Sequence, residues 1–115
     1  MPIDRDLLLI IKSSSLGEGP PDLGERLLEN FLKMLLESGR LPARIICKNS
    51  GIFLTTAGSP VIELIEKYED NGTEILSCTT CLEYFKRTDK LLVGKPTTMK
   101  ESVAAMLAFK KVITP

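Results

Sequence analysis

The segment Glu74-Ile75-Leu76-Ser77-Cys78-Thr79-Thr80-Cys81-Leu82 decides the fold of this chain. Its apolar first half predicts a buried strand, and residues 82–85 predict the opening of a helix. Cys78 therefore falls where a strand ends and the N–H groups of a helix point outward. Those groups and the helix dipole stabilise a thiolate over a thiol, and Cys81 follows one helical turn later. The segment thus predicts reactive thiols at the edge of a sheet.

Strands and helices alternate along the rest of the chain. Apolar runs, typical of strands buried in a parallel sheet, stand at residues 6–12, 43–47, 91–93 and 111–114. Between them we predict helices capped by Asp22, by Ser59, and by Thr97 or Thr98. The pattern predicts an α/β fold, a single-domain three-layer sandwich over residues 1–115 with a mainly parallel five-stranded sheet of Rossmann or flavodoxin type.

The composition narrows the class of function. The 15 basic and 15 acidic residues cancel, so we expect neither nucleic acid nor a membrane surface as a partner. Three cysteines are an odd number for a secreted disulfide framework, which favours a reducing, cytoplasmic location. The sequence contains no histidine, which removes Ser-His-Asp and Cys-His catalysis and the commonest metal ligand. We expect no metal and no cofactor.

Ligands of parallel sheets bind beyond the carboxyl ends of the strands. We predict that residues 13–21, 48–51, 78–81 and 94–98 lie at that edge, and that Cys78 is exposed there. Asn49 and Ser50 either steady a thiolate or form a solvated turn, and the sequence leaves both interpretations open. Cys47 lies inside an apolar strand and is expected to be a core residue.

Several motifs, taken in order, resemble the DsrE-like domain of the YedF family, a group of sulfurtransferase-like proteins associated with selenium metabolism. The resemblance covers essentially the whole chain, and its most specific parts are residues 74–82 and Asn49-Ser50-Gly51. The other matching segments are Gly17 and Gly19, Leu23-Gly24 with Leu27 and Phe31, Gly58-Ser59-Pro60-Val61, Leu91 with Val93-Gly94, and Lys111-Val112-Ile113.

The resemblance implies a sulfur carrier or transferase, with sulfur or selenium as its cargo. Cys78 matches the cysteine that carries a persulfide in DsrE-like proteins, and Cys81 matches a second cysteine, here a resolving or protecting thiol. The TusA-like domain that usually precedes this one is not among these residues. The resemblance therefore implies a sulfur donor protein and a TusA-like acceptor in trans, and assembly as a homo-oligomer. The predicted site comprises catalytic Cys78 and Cys81 with substrate-binding Asn49, Ser50, Gly51, Thr79 and Thr80.

Two other functions are compatible with the sequence. One is a non-catalytic module of the same fold that binds a partner or a small ligand, in which the thiols are incidental. The other is a dithiol redox protein, because the Cys-x-x-Cys spacing of Cys78 and Cys81 also occurs in redox pairs.

Overall fold

A parallel sheet forms the centre of the protein. The computed structural model describes residues 3–115, and its strands are β1 (Ile3–Ile11), β2 (Leu41–Cys47), β3 (Glu74–Cys78), β4 (Lys95–Thr97) and β5 (Lys111–Ile113). They lie in the order β4-β3-β2-β1-β5, and every pair of neighbours is parallel. The predicted α/β class and five-stranded sheet are confirmed, and the sheet is wholly rather than mainly parallel.

Four α-helices connect the strands. They are α1 (Pro21–Glu37), α2 (Ile62–Asp70), α3 (Thr79–Tyr84) and α4 (Met99–Ala108), with two 3-10 helices at Asn49–Leu54 and Thr88–Lys90. The helix α1 ends where Gly39 adopts a left-handed φ of 76°, which glycine reaches without steric cost. The helix α4 begins with a capping box in which Thr98 and Glu101 exchange hydrogen bonds, so Thr98 is the cap among the two threonines proposed.

The helices cover the two faces of the sheet unequally. The larger core joins one face of the sheet to α1, α2 and α3, with Leu9, Ile45 and Leu32 fully buried. The smaller core joins the opposite face to α4 and contains Leu8, Ile10, Ile46, Leu76 and Ala105. This is a three-layer sandwich with three helices on one side and one on the other.

After β4 the chain crosses to the opposite edge of the sheet, where it adds the last strand. Strands β1 to β4 are added side by side, and α4 then carries the chain across the other face to β5, beside β1. The connection after β3 therefore leaves toward one face and the connection after β4 leaves toward the opposite face. Such a divergence opens a crevice between the carboxyl ends of two neighbouring strands, where ligands of open α/β sheets bind. Cys78 and Thr97 are aligned partners at those ends.

The predicted fourth strand at residues 91–93 is wrong. Leu91 makes an isolated antiparallel bridge with Thr56, and Val93 is buried in the larger core. The strand begins four residues later than predicted, at Lys95, and its only three residues include Pro96. Proline is tolerated there because β4 is an edge strand, in which N–H groups on the outer side have no neighbouring strand to donate to. Gly94 accordingly lies at the amino end of β4 rather than at its carboxyl end.

Two predicted helix caps are also wrong. Asp22 lies within the first turn of α1, whose N-cap is Pro20, and no side chain caps that helix. Ser59 precedes the N-cap of α2, Val61, and its hydroxyl accepts a hydrogen bond from the Val61 N–H at 3.2 Å. In α1, the proline at the first position has no N–H that a cap would need to satisfy. In α2, the turn at Ser59 moves the start of the helix two residues later than predicted.

No helix among residues 3–115 is long and apolar enough to cross a membrane.

Two glycines with the same backbone conformation separate conformational strain from steric overlap. Gly39 and Gly94 have φ angles of 76° and 77°, but a Cβ on Gly39 meets no atom within 4 Å, whereas a Cβ on Gly94 would overlap the Ile75 carbonyl. We expect Gly39→Ala to lower the free energy of unfolding by about 1 kcal/mol and Gly94→Ala by more than about 3 kcal/mol.

Urea denaturation of the two variants measures the difference. Equal losses of stability in the two variants would contradict the close packing of Gly94 against β3 at the start of strand β4.

Candidate functional site

The two cysteines of the Cys-x-x-Cys motif lie together because of where β3 ends. Cys78 is the last residue of β3 and the N-cap of α3, with extended backbone angles of φ −61° and ψ 122°. Cys81 is the third residue of that helix. The N-cap and third positions of a helix bring their side chains together, as in a capping box. Cys78 accordingly lies close enough to Cys81 to raise the pKa of its thiol.

The two sulfurs differ in exposure. Cys78 is only 5% exposed, which differs from the exposed position expected from the sequence. It shares the face of Leu76, two residues earlier, and this is the face covered by α4. Cys81 is half-buried and lines an open hollow of about 530 Å³ together with Asn49, Thr80, Tyr84 and Phe85. Cys81 is therefore the solvent-facing member of the pair.

The hydrogen-bond donor that reaches the pair comes from the loop after β2. The backbone N–H of Asn49 donates to the Cys81 Sγ at 3.0 Å. In contrast, no cap hydrogen bond from α3 reaches the Cys78 side chain. The expectation that the N–H groups of this helix hold the Cys78 sulfur is therefore wrong, because the observed donor belongs to another loop and points to the other sulfur.

Burial is the main influence on the Cys81 thiol. Burial, followed by the hydrogen bond and negative charge of Cys78, raises its pKa, and the Asn49 N–H and the positive charge of Lys48 partly oppose this rise. The effect of Cys78 has a simple meaning, since negative charge on a neighbouring sulfur repels a thiolate on Cys81.

The position of Asn49 is set by tight packing of its loop against β1. Asn49 has a left-handed φ of 50°, a conformation that asparagine tolerates better than most residues. The Lys48 N–H donates to the Ile11 carbonyl at 2.9 Å, and the Gly51 N–H donates to the Lys48 carbonyl at 2.8 Å. A Cβ on Gly51 would overlap the Ile11 carbonyl oxygen. Gly51, predicted to bind substrate, thus allows this loop to approach β1.

Ser50 points away from the thiols. Its hydroxyl accepts a hydrogen bond from the Ser14 N–H at 3.1 Å and lies 3.4 Å from the Ser13 hydroxyl. The structure therefore brings Asn49, but not the Ser50 side chain, to the cysteine pair. Ser50 instead joins the loop after β2 to the loop after β1.

The two threonines between the cysteines have different surroundings. Thr79 donates its hydroxyl hydrogen bond to the Thr97 carbonyl at 3.0 Å, which ties the start of α3 to the end of β4. Thr80 is exposed and lines the hollow beside Cys81. Of the two, only Thr80 is placed to touch a molecule that occupies the hollow.

An aromatic wall on one side of the hollow was missed from the sequence. Tyr84 is 79% exposed and meets Phe85 edge to face at 5.1 Å between ring centroids. Phe85 packs on Phe53 at 4.8 Å, and the Arg87 guanidinium lies 4.7 Å from the centre of the Phe53 ring. The adjacent Tyr84 and Phe85, directly after the cysteine motif, were the available signal for this wall.

The third cysteine lies in the core, as expected. Cys47 ends β2 on the face covered by α1, α2 and α3, and it is fully buried. Burial raises the pKa of its thiol to about 12, so it remains a neutral, unreactive group. Within residues 3–115, no three acidic or cysteine side chains are grouped closely enough to hold a metal ion.

The fold and the site together define a parallel α/β domain with a dithiol at the crevice where its sheet topology reverses. Two solved structures are similar to it. The ychN protein from E. coli has a TM-score of 0.69 and 16% identity, with 97% of this chain and 100% of that chain covered. The protein of unknown function MTH1491 from Methanobacterium thermoautotrophicum has a TM-score of 0.73 and 14% identity, with the same coverage of 97% and 100%. At these identities the likeness establishes the fold. No protein-family model and no curated protein matches the chain.

The different surroundings of the cysteines predict different reactivities. In the folded protein at neutral pH, we expect iodoacetamide to modify Cys81 while Cys47 reacts only after unfolding, because Cys47 is fully buried and Cys81 lines the open hollow. Peptide mass spectrometry after timed alkylation measures both rates. Labelling of Cys47 as fast as that of Cys81 would contradict this arrangement.

Proposed function

We propose that this protein carries sulfur, or selenium, on its cysteine pair, with the cargo held as a persulfide on Cys78 and with Cys81 as the resolving thiol. The observation that carries the proposal is the meeting of two free cysteines at the carboxyl end of β3, beside the crevice where the sheet topology reverses. The resemblance to the DsrE-like domain of YedF proteins supports the same assignment. Nothing in this chemistry requires histidine or a metal.

Loading is a transfer between sulfur atoms. The Cys78 thiolate attacks the outer sulfur of a donor persulfide, R–S–SH, and the S–S bond of the donor breaks. The donor leaves as the thiolate R–S⁻, and Cys78 becomes the persulfide Cys–S–SH. No net oxidation occurs, because the same type of S–S bond is broken and formed.

Discharge can follow two balanced routes. An acceptor thiolate takes the outer sulfur by the reverse of the loading step. Alternatively, the Cys81 thiolate attacks the inner sulfur, HS⁻ leaves, and the two cysteines become a disulfide that an external dithiol must reduce. Because burial and Cys78 raise the pKa of Cys81, we expect the second route to accelerate as the pH rises.

The hollow beside Cys81 provides the surface that a protein donor or acceptor would meet. Tyr84 is exposed next to the half-buried Cys81, and exposed aromatic side chains are favoured anchors at protein interfaces. Lys48 adds a positive charge near the sulfur. We propose a sulfur donor protein and a TusA-like acceptor in trans as the partners, in a reducing compartment such as the cytoplasm.

A dithiol redox protein is the second candidate, and one observation favours it. The cysteines occupy the N-cap and third positions of α3, the arrangement that permits a disulfide at the start of a helix. A redox protein would cycle through that disulfide without acquiring additional sulfur. The binding-module alternative is favoured by the low exposure of Cys78, which is 5%.

Intact mass spectrometry after incubation with a persulfide donor separates these candidates. We expect the reduced protein to gain one sulfur atom, Cys78→Ser to gain none, and Cys81→Ser to retain the added sulfur longer, because the resolving thiol is lost. Cys47→Ala is the control, since that buried cysteine should have no effect on loading.

Three outcomes would overturn the sulfur-carrier proposal. Sulfur gain in Cys78→Ser would place the cargo on another residue. Formation of a reversible Cys78–Cys81 disulfide with no sulfur gain would favour the redox protein. Absence of both reactions in the folded protein would favour the binding module.

We also propose a homo-oligomer, which the resemblance implies and α4 supports. Met99, Val103 and Leu107 recur every four residues on that helix and are 57%, 45% and 84% exposed. The residues of α4 that face the core are instead Ser102 and Ala105. A second copy of the chain would bury this apolar stripe.

Sedimentation velocity tests the oligomer. We expect Leu107→Glu to shift the assembly to monomer, because a charge in a buried interface is unfavourable. Leu92→Glu is the matched control, since Leu92 is also an exposed leucine, at 60%, and lies outside α4. A monomeric parent protein, or an assembly insensitive to Leu107→Glu, would contradict this proposal.

A further inference from the structure

Thr97 carries a buried hydroxyl without a hydrogen-bond partner. The residue is 2% exposed, and its Oγ1 is the only buried side-chain nitrogen or oxygen among residues 3–115 that has no such partner. The other buried threonines are all satisfied: Thr55 bonds to Ser77 at 2.7 Å, Thr56 to the Ile52 carbonyl at 3.0 Å, and Thr73 to the Pro42 carbonyl at 2.8 Å. A buried polar group left unpaired is costly, so the exception at Thr97 requires an explanation.

The register of the sheet places this hydroxyl beside Cys78. Thr97 is aligned with Cys78 in the parallel β3–β4 pair, and aligned residues of neighbouring parallel strands project from the same face. Neighbouring strands lie about 4.8 Å apart. The Thr97 side chain therefore stands next to the Cys78 side chain in the crevice between β3 and β4, and Cys78 is itself buried.

The Glu101 carboxylate is the charged group that the Thr97 hydroxyl faces from α4. Thr98, the next residue, uses its hydroxyl to cap α4 through Glu101. The Glu101 carboxylate is the nearby anion, and its Oε1 already accepts hydrogen bonds from the Thr98 N–H at 3.1 Å and from the Thr98 hydroxyl at 3.0 Å. Thr79 engages only the Thr97 carbonyl. The backbone of Thr97 is thus held in place. Its hydroxyl contributes to lowering the pKa of Glu101 but forms no hydrogen bond of full geometry to that carboxylate or to the Cys78 sulfur.

We propose that the Thr97 hydroxyl donates a hydrogen bond to the sulfur anion on Cys78, first to the thiolate and then to its persulfide. A neutral donor suits this position, because a buried hydroxyl stabilises an anion through a charge-assisted hydrogen bond without adding a second buried charge. The thiolate part of the inference stands on the geometry of β3 and β4, and the persulfide part rests on the proposed function.

The experiment uses a Cys47→Ala/Cys81→Ala parent, in which Cys78 is the only thiol. The rate of alkylation by iodoacetamide is measured against pH with Thr97, with Thr97→Val and with Thr97→Ser. We expect Thr97→Val to move the midpoint of the pH–rate curve upward and to slow alkylation at neutral pH about tenfold. Thr97→Ser, which keeps the hydroxyl, should restore the parent curve.

Thr73→Val is the matched control, because Thr73 is equally buried at 2% but its hydroxyl already bonds to Pro42. We expect Thr73→Val to lower the thermal unfolding temperature without moving the alkylation curve. Thr97→Val should leave the unfolding temperature unchanged or raise it, because it removes a hydroxyl that has no hydrogen-bond partner among the described residues.

The same variants then report on the persulfide. In the parent with Cys81 present, we expect Thr97→Val to shorten the lifetime of the sulfur-loaded form, and Thr97→Ser to restore it. An unchanged alkylation midpoint in folded Thr97→Val, or a shift that Thr97→Ser does not reverse, would overturn the inference even if sulfur is carried. A shift of the midpoint without any sulfur gain would support the hydrogen bond and overturn the proposed function.

Discussion

The pairing of β4 with β3 is the constraint on which the candidate site depends. It aligns Thr97 with Cys78 and places the divergence of the two following connections beside the sulfur. The pairing requires Gly94, because a side chain there would overlap the Ile75 carbonyl. It also explains the burial of Cys78, since the neighbouring edge strand and the start of α4 cover the end of a strand that would otherwise be open. Without β4, Cys78 would end an edge strand and its side chain would be exposed to solvent.

A buried sulfur anion must be stabilised by groups other than water, and this chain has neither histidine nor a cluster of metal ligands within residues 3–115. The donors come instead from the backbone and from short polar side chains. The Asn49 N–H reaches Cys81 at 3.0 Å, with Lys48 contributing a nearby positive charge. Thr97 completes the set on the Cys78 side under our proposal. These groups come from two elements, the loop after β2 and strand β4, so the site depends on the assembled sheet rather than on the cysteine motif alone.

The strongly apolar elements could be predicted from the sequence because their buried residues form continuous apolar runs or recur at helical spacing. The runs in β1, β2 and β3 and the helical spacing of leucines in α1 required only periodicity, and the position of Cys78 at the end of β3 followed from them. β4 could not be predicted, because Lys95-Pro96-Thr97 has no apolar pattern and its pairing is decided by tertiary contacts. Leu91 and Val93 led to the wrong strand prediction. They pack against the core from a loop, and their apolar side chains imitate the pattern of a strand. The role of Asn49 depends on a backbone N–H, which carries no signature in the side-chain pattern. The burial of Cys78 and the unpaired Thr97 hydroxyl were missed for the same reason as β4.

The most direct test of this account is a crystal structure of the protein loaded with one sulfur atom. We expect the additional sulfur to be bonded to the Cys78 Sγ, in the crevice between β3 and β4, within hydrogen-bonding distance of the Thr97 hydroxyl. An additional sulfur on Cys81, with Cys78 unmodified beneath it, would contradict the account and would assign the carrier role to the solvent-facing thiol.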